Sequence, residues 1–440
     1  MTAADALIAF LSQTPGVEGV TVIDWRLETV QDEGLRVGIR DSEPGGPYEG
    51  PASAIRLGGS LQLHWSDGLV SRGSLDRRAV EAPSERLAAW RSDAFHPRSG
   101  RLPPLAGPGG VPAVQTCDPA VADLFAGDPT PLLVQLHHIL SGTRAHGARR
   151  VDAIVRASFG ERTVATSRGF FCRWLETASS VRLWVDELGG SRYERRKLAS
   201  PAIVDGLAAQ SAVLARQLHA PAHLSEMARG VLLMPAMVDA LLGRFLLPNL
   251  SARAIRDGRS PFTLDDLQSR REILRRDLSL VVDTTLPYEM ATAPCSSEGV
   301  PAGRAALIQR GTLVAPLADL EVAAEMGVQA TPSPRGRPHV LLESEEPVLG
   351  LDAALALLGD GVIVRDLPGL HTQPARRTMY ALVAPDAQVV RGGAAGGHCA
   401  VRLAGNVVQQ VSHRTTRLVR INGEAGTGLL VLDGVELLPA

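Results

Sequence analysis

The sequence lacks most of the features that usually reveal a nucleic-acid-binding or membrane protein. Among its 440 residues, Lys197 is the only lysine, aromatic residues make up 4%, and the formal net charge is −2. A charge balance so close to neutral gives no bulk attraction to nucleic acid or to an anionic membrane. No run of about 18 apolar residues occurs, so we expect no membrane-spanning helix.

Cysteine is also scarce. The four cysteines are widely separated and no CxxC pair occurs, so their spacing supports neither a zinc ribbon nor a redox motif. Free thiols are typical of a reducing cytosol. The first residues indicate a short helix rather than a signal peptide, because they contain no basic segment and no cleavage site. We therefore expect a cytoplasmic protein.

The standard motifs of hydrolases and nucleotide-binding enzymes are missing as well, including HExxH, GxSxG, the P-loop and a glycine fingerprint between strand and helix. Isolated candidates remain. His137 and His138 are neighbours in an apolar helix and point about 100° apart, which favours a core or capping role over a shared metal ion. His398 and Cys399 could offer a nitrogen and a sulfur ligand to a metal ion. Neighbouring residues of a strand face opposite sides, which argues against a shared metal ion. His371 lies in a loop and could face a cleft as a ligand or base.

Three loops carry unusual composition. The loop 296–301, SSEGVP, places the carboxylate of Glu298 beside a glycine turn, where it could orient a backbone or a bound peptide; an ordinary capped turn is the alternative. The basic run 192–197 indicates a solvated connection rather than a nucleic-acid patch, because it is short and contains a glutamate. The glycine-rich segment 391–397 lies among strand signals, which favours a wide turn over a phosphate cradle.

The order of helix and strand signals predicts an α+β protein with two domains, at residues 1–220 and 221–440. The first would be an α/β domain in which helices accompany an antiparallel sheet. The second would be mainly β with a few helices. Within the first domain, strands are predicted at 20–30 and 35–39 with a turn between them, followed by a meander of short strands over 149–187.

The second half opens with the stretch 230–249, GVLLMPAMVDALLGRFLLPN. Its short apolar run at 231–233 predicts a buried strand, and Pro235 suits the first turn of a helix. The segment 236–247 is apolar on almost every face, which predicts a buried helix. A strand that enters a buried helix is a common frame for catalytic residues. This frame holds no obvious set of residues that could do chemistry. Farther along, 264–276 has the composition of a charged helix.

Five stretches, in their order and spacing, resemble the TldD/PmbA (TldE) family: GFFC at 169–172, VLLMP at 231–235, SSEGVP at 296–301 with LIQRGTL at 307–313, VIVRDLPGLHT at 362–372, and VRLAGNVVQQV, interpreted as a strand, at 401–411. In that family, TldD-type subunits carry an HExxxH helix directly after the apolar strand, together with a late cysteine. The two imidazoles can bind one zinc ion, and the glutamate can act as general base. Since the spacing exceeds that of HExxH by one residue, a local π-type widening would be needed to align the imidazoles.

The resemblance implies that this chain has lost the zinc site. Gly243, Arg244 and Pro248 stand where His, Glu and His would be, and the segment 427–440 contains no cysteine. The chain is therefore similar to the TldE/PmbA type, with no cofactor of its own and with zinc in an HExxxH-bearing, TldD-like partner. Such heterodimers hydrolyse unfolded peptides, including leader peptides of modified peptide antibiotics. The residues that the family comparison suggests for binding peptide or partner are Ser297, Glu298, Gly299, His371, Gly405 and Asn406.

Two loops depart from the family pattern, at 331–340 and 371–378, because most of their expected glycines are missing. Glycine allows a backbone to approach a ligand closely, so the loss suggests a specialised pathway, such as natural-product maturation. Two other hypotheses stay open. The chain could be a stand-alone homodimeric binding or scaffold protein, or an enzyme in its own right that uses Glu298, His371 and His398. Neither nucleic acid nor a membrane is expected as a partner.

Overall fold

The computed structural model describes residues 2–45, 52–332, 340–374, 378–421 and 426–440. The elements of the first half are α1 (Ala3–Ser12), β1 (Gly16–Val17), β2 (Val20–Arg40), β3 (Glu43–Pro44), β4 (Ala52–Trp65), β5 (Val70–Leu75), α2 (Arg77–Glu81), α3 (Pro83–Ser92), α4 (Pro119–Ala122), α5 (Thr130–Ala145), β6 (Val151–Thr166), β7 (Phe171–Val185), β8 (Gly189–Arg195) and α6 (Pro201–Leu218).

The elements of the second half are β9 (Gly230–Leu233), α7 (Pro235–Leu241) with a π-helical turn (Leu242–Leu246), α8 (Ala252–Arg256), α9 (Leu264–Gln268), β10 (Leu278–Asp283), β11 (Arg304–Gln309), β12 (Thr312–Leu313), α10 (Leu320–Met326), β13 (Val340–Ser344), β14 (Leu349–Gly350), α11 (Leu351–Leu358), β15 (Gly361–Val364), β16 (Met379–Arg391), β17 (Ala394–Asn406), α12 (Val407–Ser412), β18 (Arg417–Arg420), β19 (Gly428–Val431) and β20 (Val435–Pro439). The predicted α+β fold class is confirmed.

An antiparallel sheet with the central order β5-β4-β2-β6-β7-β8 forms the frame of the first half, and the short strands β1 and β3 pair with β2. The predicted turn at residues 31–34 is wrong, because β2 is one strand of 21 residues. Gln31 pairs with Leu57 of β4 on one side and with Glu161 of β6 on the other. Ladder hydrogen bonds from both sides override the turn preference of the local sequence. For the same reason β6 and β7 are single long strands rather than the predicted short ones.

The basic run at 192–197 is not the predicted solvated connection. Most of it belongs to the edge strand β8, and Arg196 is buried with only 7% of its surface exposed. The helix α6 follows directly. Ser200 accepts a hydrogen bond from the backbone N–H of Ile203, and Pro201 occupies the first turn, where no intrahelical donor is needed.

The described residues of the second half form two sheets, one with the order β12-β11-β10-β13 and one with the order β14-β18-β19-β9-β15-β16-β17-β20. The strand β9 lies inside the larger sheet, antiparallel to β19 and parallel to β15. Strands paired on both sides and covered on both faces are continuously apolar. The predicted buried strand at 231–233 agrees with this position, since its three residues are at most 1% exposed.

Two further predictions in the second half are wrong. The charged helix at 264–276 ends at Gln268: the side chain of Thr263 caps its start, and Arg270, at φ 52°, lies in the left-handed region that a helix cannot continue through. The predicted strand at 401–411 ends at Asn406, where α12 begins. Parts of the loops 331–340 and 371–378 lie outside the described residues.

The two halves contact each other through α6 and β17, among other elements. The boundary between residues 220 and 221 stays a prediction. Within the described part of the chain, no helix is both long and apolar enough to cross a membrane.

Candidate functional site

The strand β9 and the helix after it form the frame that the sequence singled out. The backbone N–H of Met234 donates to the carbonyl of Val364 at 3.0 Å, which fixes the point where the chain leaves the sheet. Pro235 then begins α7, and the inner face of the helix packs against the core. The cavity left beneath it measures about 10 Å³, which is room for no more than about one water molecule.

The buried helix predicted at 236–247 is present, but its geometry is mixed. It changes from α to π geometry at Leu242, and the N–H of Leu247 donates to the carbonyl of Leu242, five residues earlier, at 2.9 Å. Single π turns often occur at functional sites. The widening that an HExxxH spacing requires is thus present in a chain that has none of the three side chains.

Gly243, Arg244 and Pro248 lie on the outer side of this turn, where Gly243 and Pro248 are exposed. The guanidinium of Arg244 donates through Nε to the carbonyl of Gln373 at 3.0 Å and makes a second hydrogen bond to it through a terminal nitrogen. Glycine and proline offer no side-chain ligand, and arginine keeps its proton and its positive charge. These residues do not fit a zinc ion. Among the described residues, no group of three or more His, Cys, Asp and Glu side chains could hold a metal ion.

Asp239 is an acidic residue of this outer side that sequence reasoning did not select. The surrounding protein raises the pKa of its carboxyl to about 6 by burial, and the positive charge of Arg192 partly opposes this. Asp239 is nevertheless exposed to solvent, which conflicts with strong burial of its carboxyl. Solvent therefore limits how far the pKa can rise. Carboxyls with a raised pKa occur at functional sites, but a single one provides no metal site.

The loop 296–301 is engaged within its own chain. Glu298 Oε1 lies 2.8 Å from Arg26 Nη1, and Oε2 accepts the N–H of Leu320 at 2.8 Å. The side chains of Glu298 and Arg26 are 15% and 6% exposed. Ser297 is buried, and its Oγ has no hydrogen-bond partner among the described atoms. The binding role predicted for this loop stays a prediction.

Gly299 has φ +84° and lies against the first half of the chain. A Cβ atom there would be 2.7 Å from the Cβ of Ala106 and 3.0 Å from the ring of Phe170. The position therefore requires glycine for both backbone conformation and space.

The remaining candidates lie on other elements. His371 is exposed in a 3₁₀ turn, two residues before Gln373. His398 pairs across the sheet with Gln388, and its Nδ1 is buried without a hydrogen bond to the described residues. These two histidines and Glu298 belong to no shared metal-binding group in the described residues.

Gly405 and Asn406 have structural contacts at the end of β17. A Cβ at Gly405 would meet Nε2 of Gln410 at 2.0 Å. The side chain of Asn406 accepts a hydrogen bond from the N–H of Gln409 and caps α12. Both contacts help to position the short helix that the sequence had not predicted.

A buried charged network joins the two halves, and sequence reasoning missed it. Arg162 lies 2.8 Å from Glu28 and 3.0 Å from Glu176, while Arg196 lies 3.3 Å from Glu176. Burial raises the pKa of Glu176, but the charges of Arg162 and Arg196 more than offset this and hold it below its usual value. Arg196 also donates to the carbonyl of Glu289 at 3.1 Å, in the second half. The sequence signal that could have revealed this network is the alternation of charged residues along the long strands.

Comparison with known proteins agrees with the fold. Residues 227–437 match the family described as PmbA/TldA metallopeptidase C-terminal domain. Among curated protein sequences, none matches the chain. Three solved structures share the fold at low identity. TldE from Thermococcus kodakarensis is 15% identical with a TM-score of 0.81, and the match covers 99% of this chain and 100% of that one.

The other two structures are described as modulators of DNA gyrase. The protein from Thermotoga maritima is 14% identical with a TM-score of 0.79, covering 99% of both chains. The protein from Bacteroides thetaiotaomicron is 17% identical with a TM-score of 0.74, covering 99% of this chain and 98% of that one. These likenesses show a common fold, and the domain at residues 227–437 shows the family. Residues 227–437 thus belong to the TldD/PmbA family of metallopeptidase-like proteins, which confirms the resemblance found in the sequence.

Proposed function

We propose that this chain is the metal-free, TldE/PmbA-like subunit of a heterodimeric TldD/TldE-type metallopeptidase. One observation carries the proposal. The π turn after β9 is retained, but its outer side presents Gly243, Arg244 and Pro248 instead of two imidazoles and a carboxylate. Arg244 stands at the position of the general base, and its side chain instead donates a hydrogen bond to the carbonyl of Gln373. Hydrolysis would therefore depend on a TldD-like partner that carries HExxxH and the zinc ion.

In this proposal the substrate is an unfolded or leader peptide, and the pathway is a specialised one such as natural-product maturation in the cytoplasm. An extended peptide can add to a sheet edge by main-chain hydrogen bonds, which require little side-chain specificity. The chain would wall one side of the substrate chamber rather than cleave the bond. The low number of glycines in the loops at 331–340 and 371–378 favours a dedicated substrate over general proteolysis.

Co-expression with the HExxxH-bearing homologue of the same genome tests the proposal. We expect the two chains to co-purify, zinc to be found only in preparations that contain the partner, and peptide hydrolysis only in the mixture. The variant Arg244→Ala should leave the zinc content of the complex unchanged, because Arg244 holds no metal.

Two results would decide against the proposal. A tight homodimer of the isolated chain that ignores the partner would favour the stand-alone binding or scaffold protein. Zinc-dependent hydrolysis by the isolated chain, lost in His371→Ala, would instead establish an enzyme in its own right.

A further inference from the structure

Cys172 and Cys295 are 123 positions apart in the sequence but lie side by side in the fold. Cys172 belongs to β7 in the first half, and Cys295 opens the loop 295–301 in the second. Their exposed fractions are 6% and 2%, and with Val164 and Phe170 they form one small buried cluster. Each thiol shifts the pKa of the other, as expected for two sulfurs in contact within this cluster.

Both cysteines are held on a fixed backbone. Cys172 pairs directly with Val164 across the ladder of β6 and β7. Cys295 forms an isolated antiparallel bridge with Pro301, and the N–H of Ser296 donates to the carbonyl of Val300 at 2.8 Å. The thiols therefore meet where the loop 295–301 crosses onto the sheet of the first half.

We propose that Cys172 and Cys295 are a redox pair, and that peroxide converts them into a disulfide which joins the loop 295–301 covalently to the sheet of the first half. The Cys172 thiolate attacks the O–O bond of hydrogen peroxide, which gives a sulfenic acid and, after protonation of the leaving hydroxide, one water. The Cys295 sulfur then attacks the sulfenic sulfur, and its proton leaves with the hydroxyl as a second water. Two thiols and one peroxide thus give one disulfide and two waters.

The environment of the two thiols gives them different roles. The contact with Cys295 lowers the pKa of Cys172, whereas the same contact and burial raise the pKa of Cys295. Cys172 is also the more exposed of the two, at 6% against 2%. Because the thiolate is the nucleophile in such reactions, Cys172 attacks and Cys295 resolves. Cys117 and Cys399 lie outside the cluster of Cys172 and Cys295. Burial raises the pKa of both thiols, so they serve as matched control cysteines.

Because the small oxidant has to reach a buried cluster, the rate should follow local opening of the loop rather than its static exposure. The variant Glu298→Gln, which weakens the adjacent ion pair to Arg26, should therefore form the disulfide faster than the parent chain. An equal rate in both chains would contradict a loop-gated reaction.

The experiment treats the reduced full-length chain with hydrogen peroxide, blocks the remaining thiols with N-ethylmaleimide in denaturant, and maps tryptic peptides by mass spectrometry. Cleavage at arginine releases Cys172 in the peptide 169–173 and Cys295 in the peptide 277–304. We expect these peptides joined, two hydrogens lighter than their sum, and separated again by a reductant. The double variant Cys117→Ser/Cys399→Ser should behave like the parent chain, and Cys172→Ser should lose the cross-link.

A second readout measures what the bond does. Oxidation should raise the urea midpoint of the parent chain and slow proteolysis across the two halves by about tenfold or more.

The inference is overturned if Cys172 and Cys295 stay reduced under peroxide that fully oxidises a small dithiol in the same solution. It is also overturned if they are oxidised separately to sulfinic acid, or if the cross-link joins other cysteines. The test uses the isolated chain, so its outcome is independent of the proposed peptidase partner.

Discussion

Replacing Glu298 by glutamine tests whether the loop 296–301 holds the two halves of the chain together. Glutamine has the same shape, and its carbonyl can still accept the N–H of Leu320. The change removes the charge that faces Arg26 across 2.8 Å, where the two side chains are 15% and 6% exposed. Removing one partner of a buried ion pair typically costs about 3–5 kcal/mol. We expect about 3 kcal/mol in the free energy of unfolding, since some exposure remains.

A double-mutant cycle separates the pair from the other contacts of each residue. Glu298→Gln, Arg26→Gln and the double variant are unfolded in urea, and circular dichroism follows the transition. The coupling free energy should be about 2 kcal/mol or more, because both charges are largely removed from water. The exposed pair of Arg304 and Glu343, with side chains 51% and 41% exposed, is the matched control. Glu343→Gln should cost at most about 0.5 kcal/mol.

A coupling between Arg26 and Glu298 no larger than that of the exposed control pair would contradict this role of the loop. Such a result would mean that solvent enters the contact, and that the loop is free to bind a peptide or partner. If Glu298→Gln has unchanged stability but binds the partner less well, Glu298 contributes to an interface rather than to an internal contact.

Three further predictions follow from the geometry. Gly299→Ala should cost about 2 kcal/mol more than Gly327→Ala, because both residues have positive φ but only Gly299 lacks space for a Cβ; urea unfolding measures the difference. Burial lowers the pKa of His64 from 6.5 to about 4, so the folded state favours the neutral ring. Stability should therefore fall by about 3 kcal/mol as the pH drops from 7 to 4, and His64→Gln should remove this part of the loss. Gly243→His combined with Pro248→His should create a zinc site that titration calorimetry detects, since the π turn is already formed.

Each of these predictions has a contrary outcome. Equal costs for the two glycine variants would show that the loop can move away from Ala106. A pH profile that is unchanged in His64→Gln would place the acid-sensitive group elsewhere. If the double histidine variant binds zinc no better than either single variant, the π turn does not hold the two positions in the geometry of a metal site.

Local sequence was enough to predict the elements whose character is set by their own residues. The helix α6 is such an element, because Ser200 and Pro201 form a start signal and its apolar residues repeat with helical spacing. The buried strand β9 was predicted from a run of apolar residues. The missing ligands at Gly243, Arg244 and Pro248 could also be identified from sequence, because residue type alone excludes them as zinc ligands.

Pairing across the sheet could not be predicted in the same way. The residues 31–34 have turn composition, and only the ladders on both sides show why they remain extended. The same holds for α9, which ends where Arg270 adopts a positive φ. In these cases long-range contacts or a single backbone angle outweighed the local preference.

The sequence by itself determined the fold class, the family resemblance, and the absence of the zinc-binding side chains from the helix after β9. Only the tertiary structure decided which partners the remaining residues have: Arg244 bonds to Gln373, Glu298 pairs with Arg26, and the thiols of Cys172 and Cys295 meet. The physical reason is the distance along the chain. Glu298 and Arg26 are 272 residues apart, and no local pattern reports a contact that forms only when two sheets and a loop pack together.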